Sequence, residues 1–142
     1  MKPIDDKRFI YFFVLLSVMA LGAYGYFQAG RPQPPNLEVT PENYDFGEIQ
    51  PEPIAREFQL KNTGGAPLQI KRVTTSCSCT SGVVKDRTIE PGKSSSLVVT
   101  FDPTAMDPPI RGEVLRMVYI QTNDPDREEV RIKITANVSG GE

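Results

Sequence analysis

The sequence contains no histidine and no tryptophan, and only two cysteines in 142 residues. Without imidazole there is no Ser-His-Asp or Cys-His arrangement, no ordinary base near neutral pH and no His-bearing zinc site. Two cysteines cannot close a four-thiolate metal site within one chain, and c-type haem attachment is lost with the histidine. A dominant charge is missing as well: 16 Lys and Arg stand against 18 Asp and Glu, a net −2. Non-specific nucleic-acid binding draws on a clustered cationic surface, so nucleic acid is not an expected partner. The length suits one modest domain and leaves no second lobe to form a deep cleft for a small-molecule substrate. These absences point away from an enzyme and away from any cofactor.

Long apolar runs are scarce too, and the chain has one. Residues 9–27 carry no charge and include Phe12-Phe13-Val14-Leu15-Leu16 and Val18-Met19-Ala20-Leu21. As a helix, nineteen residues rise roughly 28 Å, close to the hydrocarbon thickness of a bilayer. Phe9, Tyr11, Phe12 and Phe13 gather at one end and Tyr24, Tyr26 and Phe27 at the other, as rings do at membrane interfaces. Lys2, Lys7 and Arg8 precede the run and Arg31 alone follows it closely. By the positive-inside rule residues 1–8 stay cytoplasmic and the remainder is exported, a single-pass arrangement in a bacterial inner membrane. Ala23-Tyr24-Gly25 offers small residues for signal-peptidase cleavage, but the run is long for a secretory core and favours an uncleaved anchor.

Residues 28–36 read as a tether: Pro32, Pro34 and Pro35 stiffen it and forbid a helix. Beyond it the period of the apolar residues changes to two. Leu97, Val99 and Phe101 alternate with Ser96, Val98 and Thr100; Val130, Ile132, Ile134, Ala136 and Val138 alternate with polar neighbours. Such alternation marks half-buried strands. Turn signals at Asn62-Thr63-Gly64-Gly65, Glu90-Pro91-Gly92, Asp107-Pro108-Pro109 and Asn123-Asp124-Pro125 separate them. About seven strands are expected, near 37–40, 44–49, 55–61, 67–75, 94–102, 112–122 and 128–138. Residues 37–142 therefore read as an all-β, immunoglobulin-like antiparallel β-sandwich preceded by one transmembrane helix. The tryptophan and inter-sheet cysteine pair of antibody domains are absent.

Four motifs in this order carry a resemblance: Tyr44-Asp45-Phe46-Gly47, Leu60-Lys61-Asn62-Thr63-Gly64, Ser76-Cys77-Ser78-Cys79-Thr80 with Glu90-Pro91-Gly92, and Thr122-Asn123-Asp124-Pro125. Together they resemble a bacterial family of exported domains of unknown function, similar in turn to Hydin-type and major-sperm-protein-like immunoglobulin folds. The resemblance implies a sandwich at a membrane or envelope and no established activity. It also implies glycine where Ser78 stands, which disfavours a left-handed turn there. As backbone chemistry, Gly47 allows a bend beside Phe46, while Asn62–Gly65 and Asn123–Pro125 are expected to supply left-handed hairpin positions.

Two features carry a chemical or binding claim. If residues 77–79 are extended, the Cα atoms of Cys77 and Cys79 lie about 6.5–7 Å apart, the upper limit for a disulfide. Three readings stay open: partly buried packing or a structural disulfide, a redox pair, and a two-thiolate Cu(I) site. Lys71, Arg72, Lys85 and Arg87 would favour the thiolates if they fold nearby. The second feature is the strand at 112–122, apolar on both faces: Val114, Val118 and Ile120 on one, Leu115, Met117 and Tyr119 on the other. Either the chain's own loops cover the second face or it docks a partner. The preferred reading is an accessory or structural module that binds a protein in or at the membrane, with thiol redox or Cu(I) handling by Cys77 and Cys79 as the alternative.

Overall fold

In the computed structural model the described residues are 6–29 and 33–140, with side chains described for 10–26 in the first stretch. The chain divides into two units, Met1–Pro32 and Gln33–Glu142. The first contains one helix, α1 (Asp6–Ala29). Its described side chains, from Ile10 to Tyr26, are exposed on every side of the helix. Among the described residues no helix is long and apolar enough to cross a membrane. Phe9 and Phe27, the ends of the expected span 9–27, lie outside the described side chains, as does the whole of the expected cytoplasmic segment 1–8.

The second unit is a sandwich of nine strands: β1 (Leu37–Thr40), β2 (Asn43–Ile49), β3 (Ile54–Asn62), β4 (Leu68–Thr75), β5 (Thr80–Val84), β6 (Thr88–Ile89), β7 (Ser94–Phe101), β8 (Gly112–Thr122) and β9 (Glu129–Val138). One sheet has the order β1-β3-β7-β5 and the other β2-β9-β8-β4-β6. Seven strands match the expected ones; β5 and β6 are additional. They escape the alternation rule because β6 is only two residues long and β5 carries Thr80 and Gly82 at two of its three inward positions. One pair also departs from the expected antiparallel pattern. Pro41-Glu42 carries the chain from one sheet to the other without a hairpin, so β2 runs parallel to β9.

The core lies between the sheets and follows the period of two. Ser95, Leu97, Val99 and Phe101 of β7 are buried, as are Val130, Ile132, Ile134, Ala136 and Val138 of β9. Phe58, Leu60, Leu68 and Ile120 join them with no exposed surface. Each buried Val, Leu, Ile and Phe side chain among them contributes about 1.5–3 kcal/mol, which is what holds so short a chain together. Tyr44 stands edge-on to both Phe46 and Phe58, with ring centroids 5.1 and 6.3 Å away. Gly47 sits at φ 70° where the β2–β9 register slips, and its N–H donates to Asp45 Oδ1 at 3.0 Å. The bend expected beside Phe46 is thus a bulge that only glycine adopts without strain.

One end of the sandwich is closed by two buried polar side chains. Asn62 has no exposed surface, and its amide donates to the carbonyls of Ala66 and Ile89, each at 2.8 Å. Its side-chain oxygen accepts from the N–H groups of Gly64 and Asn36. Asp124, equally buried, accepts from the N–H groups of Leu37, Asp126 and Arg127 at 2.9, 2.9 and 3.2 Å. The left-handed hairpin positions expected at both motifs are not there: positive φ occurs among the described residues only at Gly47, Gly92 and Gly112. Asn62–Gly65 begins a crossover between sheets, and Asn123–Pro125 turns the β8–β9 hairpin through side-chain hydrogen bonds. Gly64 is needed for proximity instead. A Cβ there would lie 2.5 Å from the Asn36 nitrogen and closer still to the Pro34 carbonyl. Pro34–Asn36 is hydrogen-bonded into this end, through Gly65 N–H to Pro34 O and Thr63 N–H to Asn36 O.

Candidate functional site

At the opposite end, β4 and β5 are joined by Ser76–Cys79, which bends instead of continuing as strand. The bend brings the Cα atoms of Cys77 and Cys79 to 5.3 Å, inside the usual disulfide range, and the two are bonded. An extended segment would have held them farther apart, which is why strand geometry overestimates the separation. Thr75 Oγ1 pins the bend: it stands 2.9 Å from the carbonyl oxygens of both Cys77 and Thr80, which share its single proton. Asp102 N–H fastens it to the end of β7 by donating to the Cys79 carbonyl at 2.8 Å. Beside it, the Thr104 hydroxyl at 2.6 Å and the Thr104 N–H at 2.8 Å hold the Asp102 carboxyl below the usual carboxylate range. Ser78 adopts no left-handed backbone, so the bend forms without glycine.

The two sulfurs differ in surroundings. Cys79 belongs to the core and is 2% exposed, whereas Cys77 is half-buried at its edge. Arg116 of β8 donates from Nε to Cys79 Sγ at 3.3 Å and from Nη1 to the Leu115 carbonyl at 2.9 Å. The basic residues expected to serve the thiols do otherwise where their contacts are described: Arg87 donates to the carbonyls of Ile70 and Lys71. Sequence reasoning missed Arg116, although a signal existed. It occupies an inward position of an alternating strand, between Val114 and Val118, where a cation needs a partner. In the bonded form neither sulfur is a thiolate, the form in which cysteine binds metal. Among the described residues no group of three or more acidic, Cys or His side chains is placed to hold a metal ion.

Leu115, Met117 and Tyr119 lie on the outer face of the five-stranded sheet, in register with Thr135, Lys133 and Arg131 of β9. Strand β8 is central in that sheet, which explains its apolar inner face. The outer face is open at Leu115, which is 50% exposed, and half-buried at Met117 and Tyr119. The Arg131 guanidinium stands 5.8 Å from the centre of the Tyr119 ring. A groove of about 600 Å³ runs beside Leu115, between the carboxylates of Asp45, Glu48 and Glu113. The cysteine bend and the apolar strip meet: Ser76 N–H donates to the Met117 carbonyl at 2.9 Å, and Met117 N–H donates to Ser76 Oγ at 3.0 Å.

A family described as protein of unknown function, DUF1573, matches residues 37–138, the whole run from β1 to β9. The chain belongs to the DUF1573 family. No curated protein matches it. Among solved structures, this DUF1573 domain is similar to a protein of unknown function from Porphyromonas gingivalis W83, at 27% identity and a TM-score of 0.69. That match covers 75% of this chain and 48% of the other, so the chain spans about half the length of that protein. The domain is also similar to PapD-like domain 7 of human CEP192, at 11% identity and a TM-score of 0.54, over 75% of this chain and 87% of that one. The YadV chaperone gives 13% identity and a TM-score of 0.52, over 75% and 54%. At these lower identities the likeness is one of fold alone, that of an immunoglobulin-like sandwich.

Proposed function

We propose that this chain is a membrane-anchored, extracytoplasmic module that binds another protein through the outer face of its five-stranded sheet. In this reading it serves as an accessory or structural subunit of an envelope or membrane complex and is not an enzyme. The observation that carries the reading is Leu115, half-exposed on the central strand beyond the stretch paired with β4, and aligned with Met117 and Tyr119. Aligned large apolar side chains on an open sheet face suit a protein partner, with the acidic groove beside Leu115 favouring a segment that pairs an apolar with a basic side chain. The anchor rests on the uncharged run 9–27 and on the aromatic residues gathered at its two ends. Lys2, Lys7 and Arg8 argue for a cytoplasmic N-terminus and a domain outside the bacterial inner membrane.

A photo-crosslinking residue in place of Leu115 in the full chain tests the face, with the same residue in place of Gln59 as control. The expected result is a discrete adduct from position 115 that is absent from position 59 and lost when Met117→Glu is added. Equal or absent adducts at the two positions would reject the docking face. Orientation is tested separately: after reduction, an impermeant maleimide added to intact spheroplasts should label Cys77. Labelling only after lysis would reject export.

A further inference from the structure

We infer that the Cys77–Cys79 disulfide is a thiol-exchange site of fixed polarity. A cysteine thiol of a peptide or protein attacks Cys77, and Cys79 leaves as a thiolate held by Arg116. The inference stands apart from the docking reading, since it uses only the bend and the one arginine beside it.

Three observations converge on it. The bond encloses a single residue, Ser78, so it ties together no distant parts of the fold and constrains the unfolded chain little. Access is unequal: Cys77 is half-buried, while Cys79 is 2% exposed and closed off from an incoming nucleophile. Charge is unequal too, because the guanidinium of Arg116 donates to Cys79 Sγ at 3.3 Å. Arg116 takes no part in the described ion pairs, which join Arg127 to Glu42 and Arg131 to Glu129. Its charge is therefore free to meet the one that appears on sulfur when the bond breaks. The Thr80 hydroxyl, 3.8 Å from Cys79 Sγ and 3.4 Å from Cys77 Sγ, is a second donor within turning distance. Exchange is fastest when the attacked sulfur is accessible and the leaving sulfur is a stabilised thiolate. This site supplies the first at Cys77 and the second at Cys79.

The electrons balance in two steps. An incoming thiolate forms a bond to Cys77 Sγ, the Cys77–Cys79 bond breaks, and its electron pair stays on Cys79. A second thiol, as thiolate, then attacks the incoming sulfur, releasing Cys77 as a thiolate and leaving the two incoming thiols joined as a disulfide. Two thiols are oxidised, one protein disulfide is reduced, and the protons released pass to solvent or to the new thiolates. The module accepts one such pair of electrons and turns over only when another disulfide restores it.

The full chain in detergent, treated with limiting glutathione and quenched with N-ethylmaleimide, tests the polarity directly. Peptide mapping should find glutathione on Cys77 and maleimide on Cys79. Glutathione on Cys79, an even distribution, or no adduct and no reduction at millimolar glutathione would overturn the inference. So would maleimide on both cysteines before any reductant is added. Arg116→Gln should slow the first step at least tenfold and Arg116→Lys should recover most of it; an unchanged rate in Arg116→Gln removes the arginine from the mechanism. Mapping on the unaltered chain decides the polarity even if a variant fails to fold.

Discussion

The end of the sandwich that holds Asn62 and Asp124 and the end that holds Cys77 and Cys79 are closed in different ways. At the first, two side chains with no exposed surface satisfy backbone groups far away in sequence, Asp124 reaching Leu37 and Asn62 reaching Ile89. Each hydrogen bond there contributes little by itself, but losing Asp124 leaves the buried Leu37 N–H and two part-buried N–H groups without their acceptor at once. At the second end the covalent link spans neighbours only, and the surrounding hydrogen bonds come from Thr75, Ser76 and Arg116. The first end is built to hold the fold. The second holds a local shape, and its chemistry can change without the core coming apart.

That difference can be broken by stability measurements. Asp124→Ala should have the largest effect, about 3–5 kcal/mol, because three N–H groups lose a buried acceptor. Denaturant unfolding of the domain checks it, and a loss below that of the cysteine variant would reverse the ranking of the two ends. Gly64→Ala comes next, at about 1–3 kcal/mol, since the added methyl meets the Pro34–Asn36 backbone. Replacing both cysteines by alanine should cost only about 1–2 kcal/mol, the chain-entropy worth of so short a loop, read as a small drop in Tm. Smallest is Leu115→Glu, expected within about 0.5 kcal/mol because the side chain is half-exposed. A large loss there would mean that the face is packed by the chain itself and not open to a partner.

The parts of this fold legible in the sequence are those governed by periodicity. Alternation in β7 and β9 gives their inward faces residue by residue. Periodicity is silent where a strand is too short to show it, as in β6, and it cannot reveal the direction in which a neighbouring strand runs, as in β2 beside β9. Turn residues were legible as turns and misleading as to mechanism. Asn62 and Asp124 act through their side chains, and Gly64 acts through the absence of one. Of the candidate site, both cysteines and the apolar strip could be named, but their adjacency through Ser76 depends on how β4 lies beside β8. The arginine on Cys79 is separated from it by 37 positions, a contact that only the pairing of β4 with β8 creates.

The clasp between Pro34–Asn36 and Asn62–Gly65 also fixes a length. The polypeptide joins the domain at the Asn62 end, and the cystine lies at the other, beside Thr80 and Phe101, which pair across β5 and β7. Strand β3 runs between these ends from Ile54 to Asn62, a reach of roughly 27 Å at about 3.4 Å per residue. Because Pro35 and Leu37 are buried, that reach cannot be taken up by slack at the junction. Within the domain the cystine is therefore held a full strand's length from the Pro34–Asn36 clasp.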